Sequence, residues 1–109
     1  MKITDAQAEI WAAEMLLSDR RNWCQRASAV NALGEPVLVD DPRARRWCQI
    51  GARGLVRADC DGWSGRDNVE AAITSAAAEQ GYELGIRCND KGGYAATMKM
   101  LARAFELAA

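Results

Sequence analysis

From Thr4 to Leu17 apolar residues recur with helical spacing behind Thr4-Asp5-Ala6-Gln7, a hydroxyl residue followed three positions later by Gln. A Thr oxygen that accepts the N3 amide, answered by a Gln that reaches back to the cap, is a capping box. The first helix is therefore read from this box through Leu17. Its apolar residues form two stripes: Ala6, Ile10, Ala13 and Leu17 on one, and Ala8, Trp11, Ala12 and Met15 on the other, with Gln7, Glu14 and Ser18 between them on one side. Such a helix packs on both stripes, or packs with one and meets a partner with the other. Trp11 and Met15 are the candidate homodimer contact.

Asp40-Asp41-Pro42 places an acid at an N-cap and Pro at the first helical position, which predicts a second helix from Arg43 to about Ala58. At about 100° per residue, Ala44, Cys48, Gly51, Ala52 and Leu55 share one face. Arg43, Arg46, Arg53 and Arg57 share the opposite one, with Ile50 among them. A third helix, capped by Ser64 or Asp67, buries Val69, Ala72, Ile73 and Ala76 and stops at Gly81. The fourth follows Gly92-Gly93 and buries Tyr94, Met98, Leu101, Ala102 and Phe105.

Between the first two helices lie Val30, the turn signal Gly34-Glu35-Pro36 and Val37-Leu38-Val39, a pattern that fits a short hairpin. Tyr82 to Arg87 reads as a short extended segment. No linker divides the chain. The pattern predicts a mainly α fold: one compact four-helix domain over residues 1–109, with a short β-hairpin between the first two long helices.

Composition narrows this picture. With 109 residues and half of them apolar, the chain has enough apolar surface for a core without disulfide or metal staples. Fourteen Lys and Arg against fifteen Asp and Glu give a net charge of -1, so a charge argument has to be local. No apolar run approaches the roughly 20 residues of a membrane span, and Glu9 and Glu14 fall where a secretory leader would be apolar. The expectation is a cytoplasmic protein without membrane association. Cys24, Cys48, Cys60 and Cys88 include no C-x-x-C pair, and there is no histidine. Structural zinc sites take closely spaced ligand pairs, so the reading is reduced, mostly buried thiols with no metal and no cofactor.

Trp-Cys-Gln occurs twice, at residues 23–25 and 47–49. Two copies are too few for a solenoid and read as matching packing solutions, with the Trp47 indole N–H in need of an acceptor. Trp23-Cys24, Gly34, Pro36-Val37, the block Ala44-x-Arg46-Trp47-Cys48-x-x-Gly51-Ala52, and Asn89-Asp90 ahead of a closing amphipathic helix together resemble the DUF6197 family, small bacterial and phage proteins without an assigned activity. The resemblance covers roughly Trp23 to Ala104, and its most specific part is the second Trp-Cys block. It departs near the end, where family members tend to carry Trp before Asn-Asp and often Arg and His after it; here Cys88 precedes and Lys91-Gly92-Gly93 follows. It implies an intracellular prokaryotic or phage origin and supplies no reaction.

Three functional classes follow. Cys24 or Cys48 could serve a cysteine-dependent enzyme with Asn89 and Asp90 in a shared cleft, although a reactive thiol needs a base or a cationic setting, and buried structural thiols are the plainer reading. Asn89 or Asp90 is read as a cap for the last helix, and Asp59, Asp61 and Asp67 with Asn68 as a solvated turn rather than a calcium loop. The arginine face, with Arg20, Arg21 and Arg26 able to join it, could contact nucleic-acid phosphates, but the near-zero net charge argues against DNA. The leading reading is a small non-enzymatic protein-binding module, with Arg43, Arg46, Ile50, Arg53 and Arg57 as the contact face and Ile50 as its anchor. By analogy with the implied origin, an inhibitor of a host defence system carried by a phage or mobile element is one version of it, acting in the host cytoplasm.

Overall fold

The computed structural model describes residues 2–58 and 66–109, side chains at 57, 58, 66 and 67 excepted. In chain order its elements are α1 (Asp5–Leu17), a 3₁₀ turn (Arg20–Asn22), β1 (Ala29–Val30), β2 (Arg46–Trp47), α2 (Gln49–Ala58), α3 (Arg66–Glu79), the single turn α4 (Gly85–Arg87), a π-turn (Cys88–Gly92) and α5 (Gly93–Leu107). The fold is mainly helical, with a two-stranded antiparallel sheet between the first two long helices. No helix among the described residues is long and apolar enough to cross a membrane.

The capping box forms as the sequence predicts: Thr4 Oγ1 accepts the Gln7 amide and Gln7 Oε1 accepts the Thr4 amide, both at 3.0 Å. The same two side chains reach the other terminus, where Thr4 Oγ1 donates to Ala108 O at 2.9 Å and Gln7 Nε2 to Phe105 O at 3.0 Å. At the opposite end of α1 the Tyr94 hydroxyl donates to the carbonyls of Leu17 and Ser18. Hence α5 lies antiparallel to α1 and is tied to it at both ends. Ile10, Leu17, Ile73, Met100 and Leu101 are fully buried between α1, α3 and α5, with Ala52 of α2 closing the side; each large side chain contributes about 1.5–3 kcal/mol by its burial. Gly81 ends α3 with φ +88°, and the Gly81 and Tyr82 amides donate to Ala78 O and Ala77 O, each at 3.0 Å. That is the Schellman pattern that glycine favours.

Several expectations change. In α5, Ala102 is exposed, and Thr97, Met100, Leu101 and Ala104 are buried while Tyr94, Met98 and Phe105 are half-buried; α1 and α3 both pack on α5, so its buried arc is centred between them. Tyr82 to Arg87 is not an extended segment: Tyr82 to Leu84 leads into α4, which takes up Gly85–Arg87. The Ser64 and Asp67 caps, the turn at Asp59 and Asp61, and Cys60 lie outside the described residues and side chains.

The largest difference concerns the second helix, which starts at Gln49 and not at Arg43. Asp41 does start a turn, its carboxylate accepting the Arg43 amide at 2.8 Å and its carbonyl the Ala44 amide at 2.9 Å. The turn then stops, because Arg45 N donates to Val30 O at 2.8 Å and the next two residues pair as β2, in the register Ala29↔Trp47 and Val30↔Arg46. Sheet pairing therefore overrides a good local start signal. Val37-Leu38-Val39 does not form a strand of its own, but the expected hairpin is present as a minimal pairing: Pro36 bridges Val30, and the Val37 amide donates to Ala29 O at 3.1 Å.

Candidate functional site

Trp47 sits between two neighbours. Beside its antiparallel partner Ala29 it forms a parallel bridge with Trp23, and Cys24 N donates to Trp47 O at 3.0 Å. The two Trp-Cys-Gln segments thus lie side by side. The indole N–H of Trp47 finds its acceptor in Val39 O at 3.0 Å.

Both segments close on Asn89, which is fully buried in the π-turn. Its Oδ1 accepts the Trp23 indole N–H at 2.9 Å and the Gln49 amide at 3.1 Å; its Nδ2 donates to Cys24 O and Asp90 Oδ1, each at 3.1 Å. An amide side chain has two acceptor lone pairs and two donor hydrogens, so its capacity is filled. Gln25 Nε2 donates to the carbonyls of Asn89 and Asp90 at 3.1 and 3.0 Å. The expectation that Asn89 or Asp90 caps α5 is corrected: the residue at that cap is Gly92, with no side-chain cap bond. Asn89 joins distant segments instead, because it lies at depth where buried amides and carbonyls need partners.

The thiols line this junction as packing groups. Cys24 and Cys48 are buried with Val30 in a small apolar cluster that Ala27 and Ile86 cover. Cys48 stands at the head of α2, where its Sγ accepts the Gly51 amide at 3.3 Å and its carbonyl accepts the Ala52 amide at 2.8 Å. Burial pushes the Cys24 thiol up to about 11, with Cys48 adding to the rise and the Arg46 charge opposing it; burial also raises Cys48 and Cys88. A thiolate is therefore disfavoured at neutral pH. Gly51 is required here, since a Cβ would stand 1.7 Å from Ser28 O, and Ala52 is fully buried beside it.

The expected arginine face does not form. Arg43 lies in the exposed turn, paired with Asp41 at 2.9 Å; Arg46 projects from β2; the Arg57 side chain lies outside those described. Arg53 is 3% exposed, and its guanidinium reaches Glu70 at 2.6 Å, Glu9 at 4.0 Å and Gln49 Oε1 at 3.1 Å. Of the four whose side chains are described, Ile50 alone lies exposed on α2, 41% exposed on its first turn. Sequence reasoning missed the buried Glu9 and Arg53, although Glu9 stands three residues after Ala6 and four before Ala13, on the stripe that packs inward. Among the described residues no group of acids and cysteines is arranged to hold a metal ion.

The second stripe of α1 stays outside the core. Trp11 is 52% and Met15 50% exposed, whereas Ile10, Ala13 and Leu17 on the other stripe are fully buried. No family model, curated protein or solved structure matches this chain, and the resemblance to DUF6197 rests on its sequence motifs alone.

Proposed function

We propose that the protein is a small non-enzymatic protein-binding module that docks through the outer stripe of α1. The observation that carries this reading is the half-exposed Trp11 and Met15, one turn apart on a helix whose opposite stripe is fully buried. Trp and Met are enriched in interface cores, and a large ring on a helix held by its other face can enter a partner's pocket with little further ordering. Ala8 and Ala12 lie on the same stripe and are small enough for a partner helix to approach closely. The disposition of the thiols also favours binding over catalysis, since a nucleophile needs a depressed pKa and access. The narrower version, an inhibitor of a host system carried by a phage or mobile element, follows from the family resemblance and requires that the partner be a host protein.

Trp11→Glu is the test, because it changes an exposed position and should leave the circular dichroism and unfolding midpoint near wild type. Wild type is expected to self-associate in sedimentation or to retain a partner from host extract, and the variant to lose that association. Equal behaviour of the two folded proteins would remove the reading.

A further inference from the structure

Among the described residues Arg26 is the one non-glycine residue with positive φ, at +66°. A side chain in this region costs about 1 kcal/mol relative to glycine, and the other described positions of this kind are Gly34, Gly81 and Gly93. The strain is held from both sides. Arg26 N donates to Asp90 Oδ1 at 3.0 Å, and the preceding Gln25 is tied to two carbonyls of the π-turn. Residues locked in a costly conformation by their surroundings cluster at functional sites, so the question is what the Arg26 side chain does.

Arg26 borders a surface concavity of about 480 Å³, whose lining includes Arg20, Arg46, Trp23 and Gln25. The guanidinia of Arg20, Arg26 and Arg46 have no ion-pair partner among the described residues, whereas Arg21, Arg43, Arg53 and Arg103 each pair with a carboxylate. Arg20 is held by an aromatic contact, and Arg46 is carried by a paired strand. Arg20 stacks 5.5 Å from the Tyr94 ring centroid, and Tyr94 packs edge-on against Trp23 at 5.5 Å; Arg46 extends from the paired strand β2. The carboxylate of Asp90 stands beside Arg26, its Oδ1 accepting from Arg26 N and Asn89 Nδ2.

We propose that this concavity binds a small ligand carrying two or more linked phosphate groups, held by Arg20, Arg26 and Arg46 against the Trp23 side. Guanidinium forks match phosphate oxygens bidentately, and one or two of them satisfy a single phosphate, so three around one concavity suit a longer anion. The volume lies in the range of small-molecule sites, about 300–1,000 Å³. A nucleic-acid strand would call for a basic groove that continues along the backbone, and the chain's net charge of -1 gives no such field. Neither Trp11 nor Met15 takes part, so this site and the α1 docking face stand or fall separately.

The test is calorimetric titration of the full chain with sodium pyrophosphate, with inorganic phosphate and a single-stranded oligonucleotide as comparisons, and amide chemical-shift mapping of the wild type. Saturable one-to-one pyrophosphate binding is expected, tighter than that of phosphate, with shifts centred on residues 20–26 and 46. Arg26→Gly keeps the backbone conformation and removes the guanidinium; it should fold at least as stably and bind about tenfold more weakly, the scale of one charge-assisted contact. Arg46→Gln should do likewise, and Arg103→Gln should bind as wild type. Absence of saturable binding, wild-type affinity in both cleft variants, or occupation of these residues by the oligonucleotide but not by pyrophosphate would overturn the proposal.

Discussion

The Trp23 indole N–H donates to Asn89 Oδ1 at 2.9 Å, across 66 residues of sequence. The same oxygen receives the Gln49 amide, and the Asn89 amide nitrogen donates to Cys24 O. One side chain therefore fastens both Trp-Cys-Gln segments to the turn that precedes α5. Asn89→Ala would strand these three groups, and an unsatisfied buried polar group costs about 1–3 kcal/mol. A loss of about 3–5 kcal/mol in urea unfolding is expected, a large share of the 5–15 kcal/mol typical of a domain. A loss below about 1 kcal/mol would show that the junction is not a structural lock.

Gly51 and Gly34 separate two reasons for glycine. At Gly51 an added Cβ would stand 1.7 Å from Ser28 O, while at Gly34 it would meet nothing within 4 Å, although φ there is +81°. Gly34→Ala should cost about 1 kcal/mol, the penalty of a left-handed position. Gly51→Ala should cost several times more, because backbone has to move; comparison of the two urea midpoints checks the order.

Arg53 carries a buried charge between α1 and α3. Arg53→Ala removes a buried cation, 3% exposed, from beside Glu9 and Glu70, and breaking a buried pair on one side costs up to about 3–5 kcal/mol. Arg43→Ala breaks only an exposed pair with Asp41 and should change stability by less than about 1 kcal/mol. Similar effects for the two would contradict the buried placement of Arg53.

Burial of the Cys24 thiol makes stability depend on pH on the alkaline side. The Cys24 pKa rises from 9.0 to about 11 in the folded protein, so between these values the unfolded chain has released a proton that the native state retains. Stability falls with rising pH wherever the unfolded state binds fewer protons. The contribution is complete below about pH 9 and is lost as pH rises through 11. Cys24→Ala should flatten the Cys24 part of that fall, measured by urea unfolding over this range, leaving any part due to Cys48 and Cys88.

Legibility in the sequence follows the range of the forces involved. Local signals read well: the Thr4–Gln7 box, the Gly81 stop and the inward stripe of α1 depend on residues within a turn or two. The start of α2 did not, since Asp41-Pro42 is a sound helix signal and the hydrogen bond from Arg45 to Val30 that diverts the chain belongs to pairing with a distant segment. The arginine face failed with it. The repeated Trp-Cys-Gln was visible and so was Asn89-Asp90, but their meeting was not, because a hydrogen bond between residues 23 and 89 leaves no periodic trace. Arg26 gave no signal, since Arg at a left-handed position looks like any surface arginine until its φ is known.

Titration of the native protein with a thiol reagent, with labelled positions assigned by peptide mass analysis, tests most directly whether the paired Trp-Cys segments are packing rather than chemistry. At neutral pH, Cys24, Cys48 and Cys88 should label only as fast as the protein unfolds, and together on addition of denaturant. Rapid labelling of Cys24 or Cys48 without denaturant would contradict the structural reading and restore the case for a cysteine-dependent enzyme.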